Sequence, residues 1–404
     1  MTYTKLISRA VILLALLVTG NVLGQNGGGG IGIVTGQDTD RRVITTAVPF
    51  MLISPDARGS AMGDVGAATS ADPYSAHWNP AKLAFINSEM GFSLSYTPWL
   101  SKIVNDMSIS YLTGYKRLSK TQVVGIAIKY FDLGDIQFRD DIGTPTDQFS
   151  PREFEFGGTY SQVLSENLSF GANVKYVHSN IAGNIALPQS TDTKPANALA
   201  IDLGIYYIKD ITIGGNPSKL GLATVISNIG NKVTYNSSDN KDFLPANLRL
   251  GTSLTTSLDP YNTITLAVDV NKLMVPTPPI YVSGNSGPIA KGKNPKRPYL
   301  SAIFGSFGDA PDGFSEELKE FTLNIGLEYW YNKIFAVRAG YFLENADKGD
   351  RKYISMGAGF KYQRFGIDVA YLIPQTRNHP LAETLRFSLL FNMGESDEDA
   401  VTEE

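Results

Sequence analysis

From Met90 onward the chain alternates with a period of two, and this limits its possible folds more than any other feature. Val124, Ile126, Ile128 and Tyr130 alternate with Gly125, Ala127, Lys129 and Phe131. Leu199, Ile201, Leu203, Ile205 and Tyr207 alternate with Ala200, Asp202, Gly204 and Tyr206. Similar runs cover Ile264–Val270, Leu323–Tyr329 and Leu385–Phe391. One face is apolar and often ends in an aromatic; the other is small, polar or charged. A strand with lipid outside and a polar lumen inside reads this way. The pattern predicts an all-β fold, a transmembrane antiparallel β-barrel of about 14 strands.

The fourteen segments fall near 90–97, 106–116, 122–132, 152–163, 168–179, 198–209, 218–228, 246–257, 261–271, 320–331, 334–343, 353–362, 365–373 and 383–393. The connections sort by parity. Short ones are 117–121, 164–167, 258–260, 332–333 and 363–364. Long ones are 133–151, 180–197, 229–245, 272–319, 344–352 and 374–382. Outer-membrane barrels pair short periplasmic turns with long outer loops. A soluble β-sandwich has no reason to sort its loops. Both termini are therefore expected in the periplasm, with the 272–319 loop outside the cell. Closure matters because an open sheet edge in hydrocarbon leaves N–H and C=O groups unpaired.

The N-terminus supplies the export route. Lys5 and Arg9 precede the apolar run Ala10–Val18, and Val22 and Gly24 precede a cut at Gln25. This predicts a signal peptide over 1–24; the run is too short to span a bilayer. A Gly-rich tether follows over 25–46, a hatch or plug over 47–89, the barrel over 90–393 and an acidic periplasmic tail over 394–404. The tether's glycines lack the Gly-Lys-Ser/Thr of a phosphate loop.

Composition excludes several chemistries. There is no Cys, so disulfides, thiolate sites and a lipidated N-terminal Cys are excluded. A net charge of −4 gives no reason to expect a nucleic-acid partner. The three histidines, His77, His178 and His379, are scattered, with no spacing that pairs one with a serine or gathers a zinc site. No catalytic residue, metal or cofactor is expected.

The hatch opens Ser54-Pro55-Asp56-Ala57-Arg58, runs on through small residues that include Gly63 and Asp64, and closes His77-Trp78-Asn79-Pro80-Ala81-Lys82. Inward-facing Lys129, Lys175, Asp202, Arg249, Asp269, Glu328, Arg338, Lys361, Asp368 and Arg386 carry both signs and suit a plugged lumen. These hatch motifs closely resemble the PorV family of the type IX secretion system. More widely, the small-residue run and Asn-Pro-Ala resemble the FadL-like outer-membrane barrels. The resemblance implies a FadL-like barrel without enzymatic activity in the outer membrane of Bacteroidota. It further implies docking on a SprA-type translocon, binding of cargo bearing a C-terminal secretion domain, and delivery to the PorU sortase and attachment complex. Outer-membrane lipid is the remaining partner. The alternative function is FadL-like transport of long-chain fatty acids or other hydrophobic compounds.

The 272–319 loop is long enough to be functional. Leu273, Met274, Val275, Ile280, Tyr281, Tyr299, Ile303 and Phe304 are its expected partner anchors, because buried apolar and aromatic side chains dominate interface energy.

Overall fold

The computed structural model describes residues 42–100, 104, 106–140, 142–181, 193–236, 241–282, 287–375 and 384–394. The expected signal peptide, most of the tether, His379 and nearly all of the acidic tail lie outside the described residues.

Fourteen strands close into one antiparallel barrel. They are β1 (Met90–Pro98), β2 (Ser108–Ser119), β3 (Gln122–Asp132), β6 (Arg152–Ser165), β7 (Leu168–Asn180), β8 (Ala196–Ile213), β9 (Asn216–Gly230), β10 (Asn247–Ser257), β11 (Asn262–Leu273), β14 (Phe321–Tyr331), β15 (Phe335–Leu343), β16 (Lys352–Tyr362), β17 (Phe365–Pro374) and β18 (Leu385–Met393). Two small hairpins sit in the loops, β4 (Ile136–Arg139) with β5 (Pro145–Phe149), and β12 (Ile280–Tyr281) with β13 (Ile289–Lys291). The seam joins β1 to β18 from Met90↔Met393 to Tyr96↔Phe387, leaving no free edge.

The alternation holds strand by strand. In β8, Leu199, Ile201, Leu203 and Ile205 are exposed on the outer wall, while Ala198, Ala200 and Asp202 are buried inside. The strands also run longer than the apolar pattern. Residues 210–217 read as a connection, yet β8 and β9 continue to a two-residue turn at Gly214–Gly215, both with positive φ. Beyond the bilayer an outward side chain need not be apolar, so Lys209, Asp210 and Lys219 hide the end of the ladder from a hydropathy reading.

One barrel end carries the tight turns, including 120–121, 166–167, 214–215 and 363–364. The other carries the long loops 133–151, 231–246 and 274–320. β18 ends at the short-turn end, where Glu89 N donates to Gly394 O at 2.9 Å. The first described residue, Arg42, lies instead at the long-loop end, paired with Asp312 and Glu316. Strand parity places the N-terminal side at the short-turn end; parity counts only spanning strands, and here a non-spanning segment runs the length of the lumen. It enters beside Phe243 (Ala47 N to Phe243 O, 2.9 Å), descends through the barrel and emerges into β1.

Candidate functional site: hatch, lumen and long-loop face

Residues 47–86 fill the lumen in two layers. Val48, Phe50 and Met51 pack with Ile109, Phe131, Val177, Ala198, Ala200 and Leu244 toward the long loops. Below them, Tyr74, Trp78 and Leu83 pack with Tyr111, Tyr115 and Val123. A hatch that buries this much apolar surface is an integral plug of the barrel.

The hatch motif explains itself residue by residue. Asp56 caps the short helix Ala57–Ala61 by accepting from Gly59 N at 2.7 Å, and its other oxygen accepts from Trp78 Nε1 at 2.6 Å. Burial, then the nearby Asp72, pushes its carboxyl up to about 6. Trp78 lies in the space that a Cβ at Gly59 or Gly66 would need, so both glycines are required by its ring. Ser54 Oγ and Ser60 Oγ share a 2.7 Å hydrogen bond, and Ser54 O accepts from Arg386. Pro55 directly precedes the cap residue Asp56, whose backbone is extended, and Ala57 N donates to Ser388 Oγ at 2.9 Å. Gly63 has φ +73 and fits against the backbone of Tyr341; its N–H donates to Ser355 Oγ at 2.9 Å. Asp64 follows in the left-handed region and accepts from Tyr353 Oη at 2.5 Å.

The closing motif docks the hatch onto β7 and β8. Asn79 caps Pro80–Phe85 through Ala81 N at 3.0 Å, and its amide donates to Ala67 O and Ile205 O. Pro80 takes the first helical position, where no N–H is needed. Gly171 and Gly204 leave room for Ala81 and Asn79 against the wall. Lys82 is fully buried and donates to Gly66 O at 2.7 Å and Thr69 Oγ1 at 3.0 Å. His77 sits edge-on to Trp78 and Tyr111. Desolvation, then the charges of Lys129 and Arg249, pushes its pKa well below the ordinary imidazole value. His178 stacks on Phe154 of the wall, away from His77.

Arg58 pins the hatch to the barrel. Its Nε and Nη2 meet both oxygens of Glu328 at 2.9 and 2.8 Å, and Nη1 meets Asp72 at 2.8 Å. Glu328 also accepts from Arg338 at 2.7 Å, and Arg338 continues to Asp368 at 2.6 Å. Asp269 accepts from Gly66 N and Ala67 N at 2.9 and 3.0 Å. Below this network a cavity of about 890 Å³ opens at the short-turn end, lined by Arg58, Asp72, Tyr206, Trp330, Lys361 and Asp368 among others.

The long loop corrects part of the expected anchor set. Met274, Val275 and Ile303 are buried where the long loop packs on the neighbouring 231–246 loop, among Phe243, Ala246 and Ala302, so they have no surface to offer a partner. Tyr299 stacks on Phe243 at 5.8 Å and accepts from Gly230 N at 2.7 Å, and Leu273 joins the same packing. Ile280 and Tyr281 form β12 and are half-buried. Of the eight, Phe304 is exposed, at 59%. Leu300 and Phe307, not expected as anchors, are exposed beside it in the chain. Loop hydrophobicity reveals that something is packed, but the seven-residue helix Tyr299–Gly305 that carries Leu300, Ile303 and Phe304 is too short for periodicity to reveal which side.

A barrel of fourteen strands closed by its own hatch defines a plugged outer-membrane barrel. A family model described as "Type IX secretion system protein PorV" matches residues 36–280, well over half of the sequence. The chain belongs to this family and is an outer-membrane component of the type IX secretion system. No curated relative matches it significantly. Among solved structures, the toluene transporter TbuX of Ralstonia pickettii is similar at 12% identity and a TM-score of 0.45, over 86% of this chain and 100% of that one. A FadL homologue of Pseudomonas aeruginosa is similar at 13% identity and a TM-score of 0.41, over 87% and 99%. Likeness at this level says nothing of ligand or transport.

Proposed function

We propose that the barrel works by protein contact and carries out no covalent chemistry: it docks on a SprA-type translocon, receives cargo with a C-terminal secretion domain, and passes it to the PorU sortase and attachment complex. With family membership given, the observation that carries this reading is the filled lumen. Hatch residues occupy the barrel from Val48 down to the Arg58–Glu328 pin, and they separate the long-loop end from the cavity beneath, whose wall mixes charged and hydroxyl side chains with apolar ones such as Phe85, Ile208 and Trp330. A carrier of hydrophobic compounds needs an apolar path beside the hatch. The long loops then face outward, and Leu300, Phe304 and Phe307 are the partner-facing side chains. Deleting the gene tests this reading. Cargo with intact C-terminal secretion domains should accumulate in the periplasm; normal cargo export with failed growth on long-chain fatty acids would favour the carrier.

A further inference from the structure

The helix Phe314–Lys319, in the long loop, is amphipathic the wrong way round. Its acids Glu316 and Glu317 are buried, while Phe314 is 76% and Leu318 55% exposed. The burial of the acids has a clear cause. Glu316 takes Arg42 on both oxygens at 2.8 Å and Lys348 at 2.7 Å; Glu317 Oε1 accepts from Asp309 N and Ala310 N and Oε2 lies 3.4 Å from Lys272. The exposure of the apolar pair has none within the described residues. Phe314 and Leu318 are four apart and so share one helical face. Leaving that face in water forgoes the favourable burial of two large apolar side chains.

Arg42 brings a specific segment to this face. It clamps Glu316 and Asp312, residues that bracket Phe314, and it is the point at which the preceding chain leaves. Residues 35–40 are polar, Thr-Gly-Gln-Asp-Thr-Asp, and before them stands an apolar run in an otherwise glycine-rich stretch, Ile31-Gly32-Ile33-Val34. Eight residue-to-residue steps lead from Val34 to Arg42, a reach of roughly 26–29 Å, several times the roughly 9 Å length of a six-residue helix. The other end of the barrel sequence cannot compete, because Gly394 is held at the short-turn end.

We propose that the segment preceding Arg42 leaves the barrel on the long-loop face, and that its Ile31–Val34 run covers Phe314 and Leu318. The N-terminal segment then shares the face that carries Leu300, Phe304 and Phe307. It acts as a strap over the long loop, tied down by the Arg42 clamp.

The absence of cysteine makes the test direct. In the full chain in outer membranes, Val34→Cys with Leu318→Cys is treated with a short bismaleimide, beside a control pair of Val34→Cys with Lys120→Cys at a short turn. The expected result is an internal cross-link in the first pair only. On intact cells, Val34→Cys alone should label with an impermeant maleimide as Thr144→Cys in the β4–β5 connection does, and opposite to Lys120→Cys. Labelling that follows Lys120, or a 34–120 cross-link, overturns the exit. Labelling of both 34 and 318 without a cross-link between them overturns the cover and gives the helix face to another protein or to lipid. Neither readout involves the translocon, so failure here is distinct from failure of the secretion reading.

Discussion

Arg58 of the hatch and Glu328 of β14 form a two-pronged ion pair inside the lumen, at 2.9 and 2.8 Å, 270 residues apart in sequence. Both are buried. Removing one partner from a buried pair leaves an uncompensated charge and costs about 3–5 kcal/mol. The two partners are not equivalent. Without Arg58, Glu328 keeps Arg338; without Glu328, Arg58 keeps Asp72 and Arg338 keeps Asp368, so two cations lose a shared carboxylate. Glu328→Ala should therefore lower the temperature of the heat-induced gel shift more than Arg58→Ala, and both should expose the hatch to protease. Equal and negligible effects would show that the pin does not hold the hatch.

The two faces of β8 and β11 should answer oppositely to charge, provided the lumen position is chosen by structure. Ile201→Arg, on the lipid face, should impair assembly, since Arg near the bilayer midplane costs roughly 2–4 kcal/mol. Alternation alone would nominate Ala200 as the tolerant neighbour. Ala200, however, packs in the cluster with Val48 and Phe50, so Ala200→Arg should also fail. Thr263 lines the open cavity, and Thr263→Arg should fold and show the normal heat shift.

Trp78 and the glycines around it form one unit. A Cβ at Gly66 would collide with the indole ring, so Gly66→Ala should destabilise the hatch and increase its cleavage by protease. Trp78→Ala removes the ring and should make the added methyl at 66 nearly neutral in the double variant. Additive losses would contradict the contact.

Asp56 gives the hatch a pH dependence of definite sign. Burial and the neighbouring Asp72 raise its carboxyl from 3.8 to about 6, so the folded hatch holds the proton more tightly than the unfolded chain. Its contribution to stability is fully present below about 4 and is lost as pH rises through 6. Asp56→Asn keeps the helix cap and removes the titration. The difference in stability between wild type and this variant should change between pH 4 and 7, in the direction of a relatively weaker wild type at pH 7. A constant difference across that range would contradict the assignment.

Strand order and facing were legible in the sequence because the bilayer imposes them locally, one residue at a time. Ile201 must be apolar because it faces lipid, whereas its inward neighbours Ala200 and Asp202 are free of that demand. The hatch was legible as small residues with capping motifs. Its attachment was not, because Arg58 and Glu328 are brought together by closure of the barrel, and neither neighbourhood marks the other. The ends of β8 and β9 were hidden where the ladder leaves hydrocarbon for water. In the long loop, Met274 and Ile303 turn inward and Phe304 outward for reasons of local packing that apolar content does not encode. The path of the N-terminal segment was obscured by the parity argument itself, which counts spanning strands and takes no account of a chain threaded through the lumen.

The secretion reading is tested most directly by affinity purification of the full chain from outer membranes in mild detergent, beside a Leu300→Gln, Phe304→Gln, Phe307→Gln variant that retains its heat-modifiable barrel. The wild type should bring down a much larger outer-membrane barrel protein, and the variant should lose it together with cargo secretion. A wild-type barrel that purifies alone, or a variant that still holds its large partner and still supports secretion, would contradict the account.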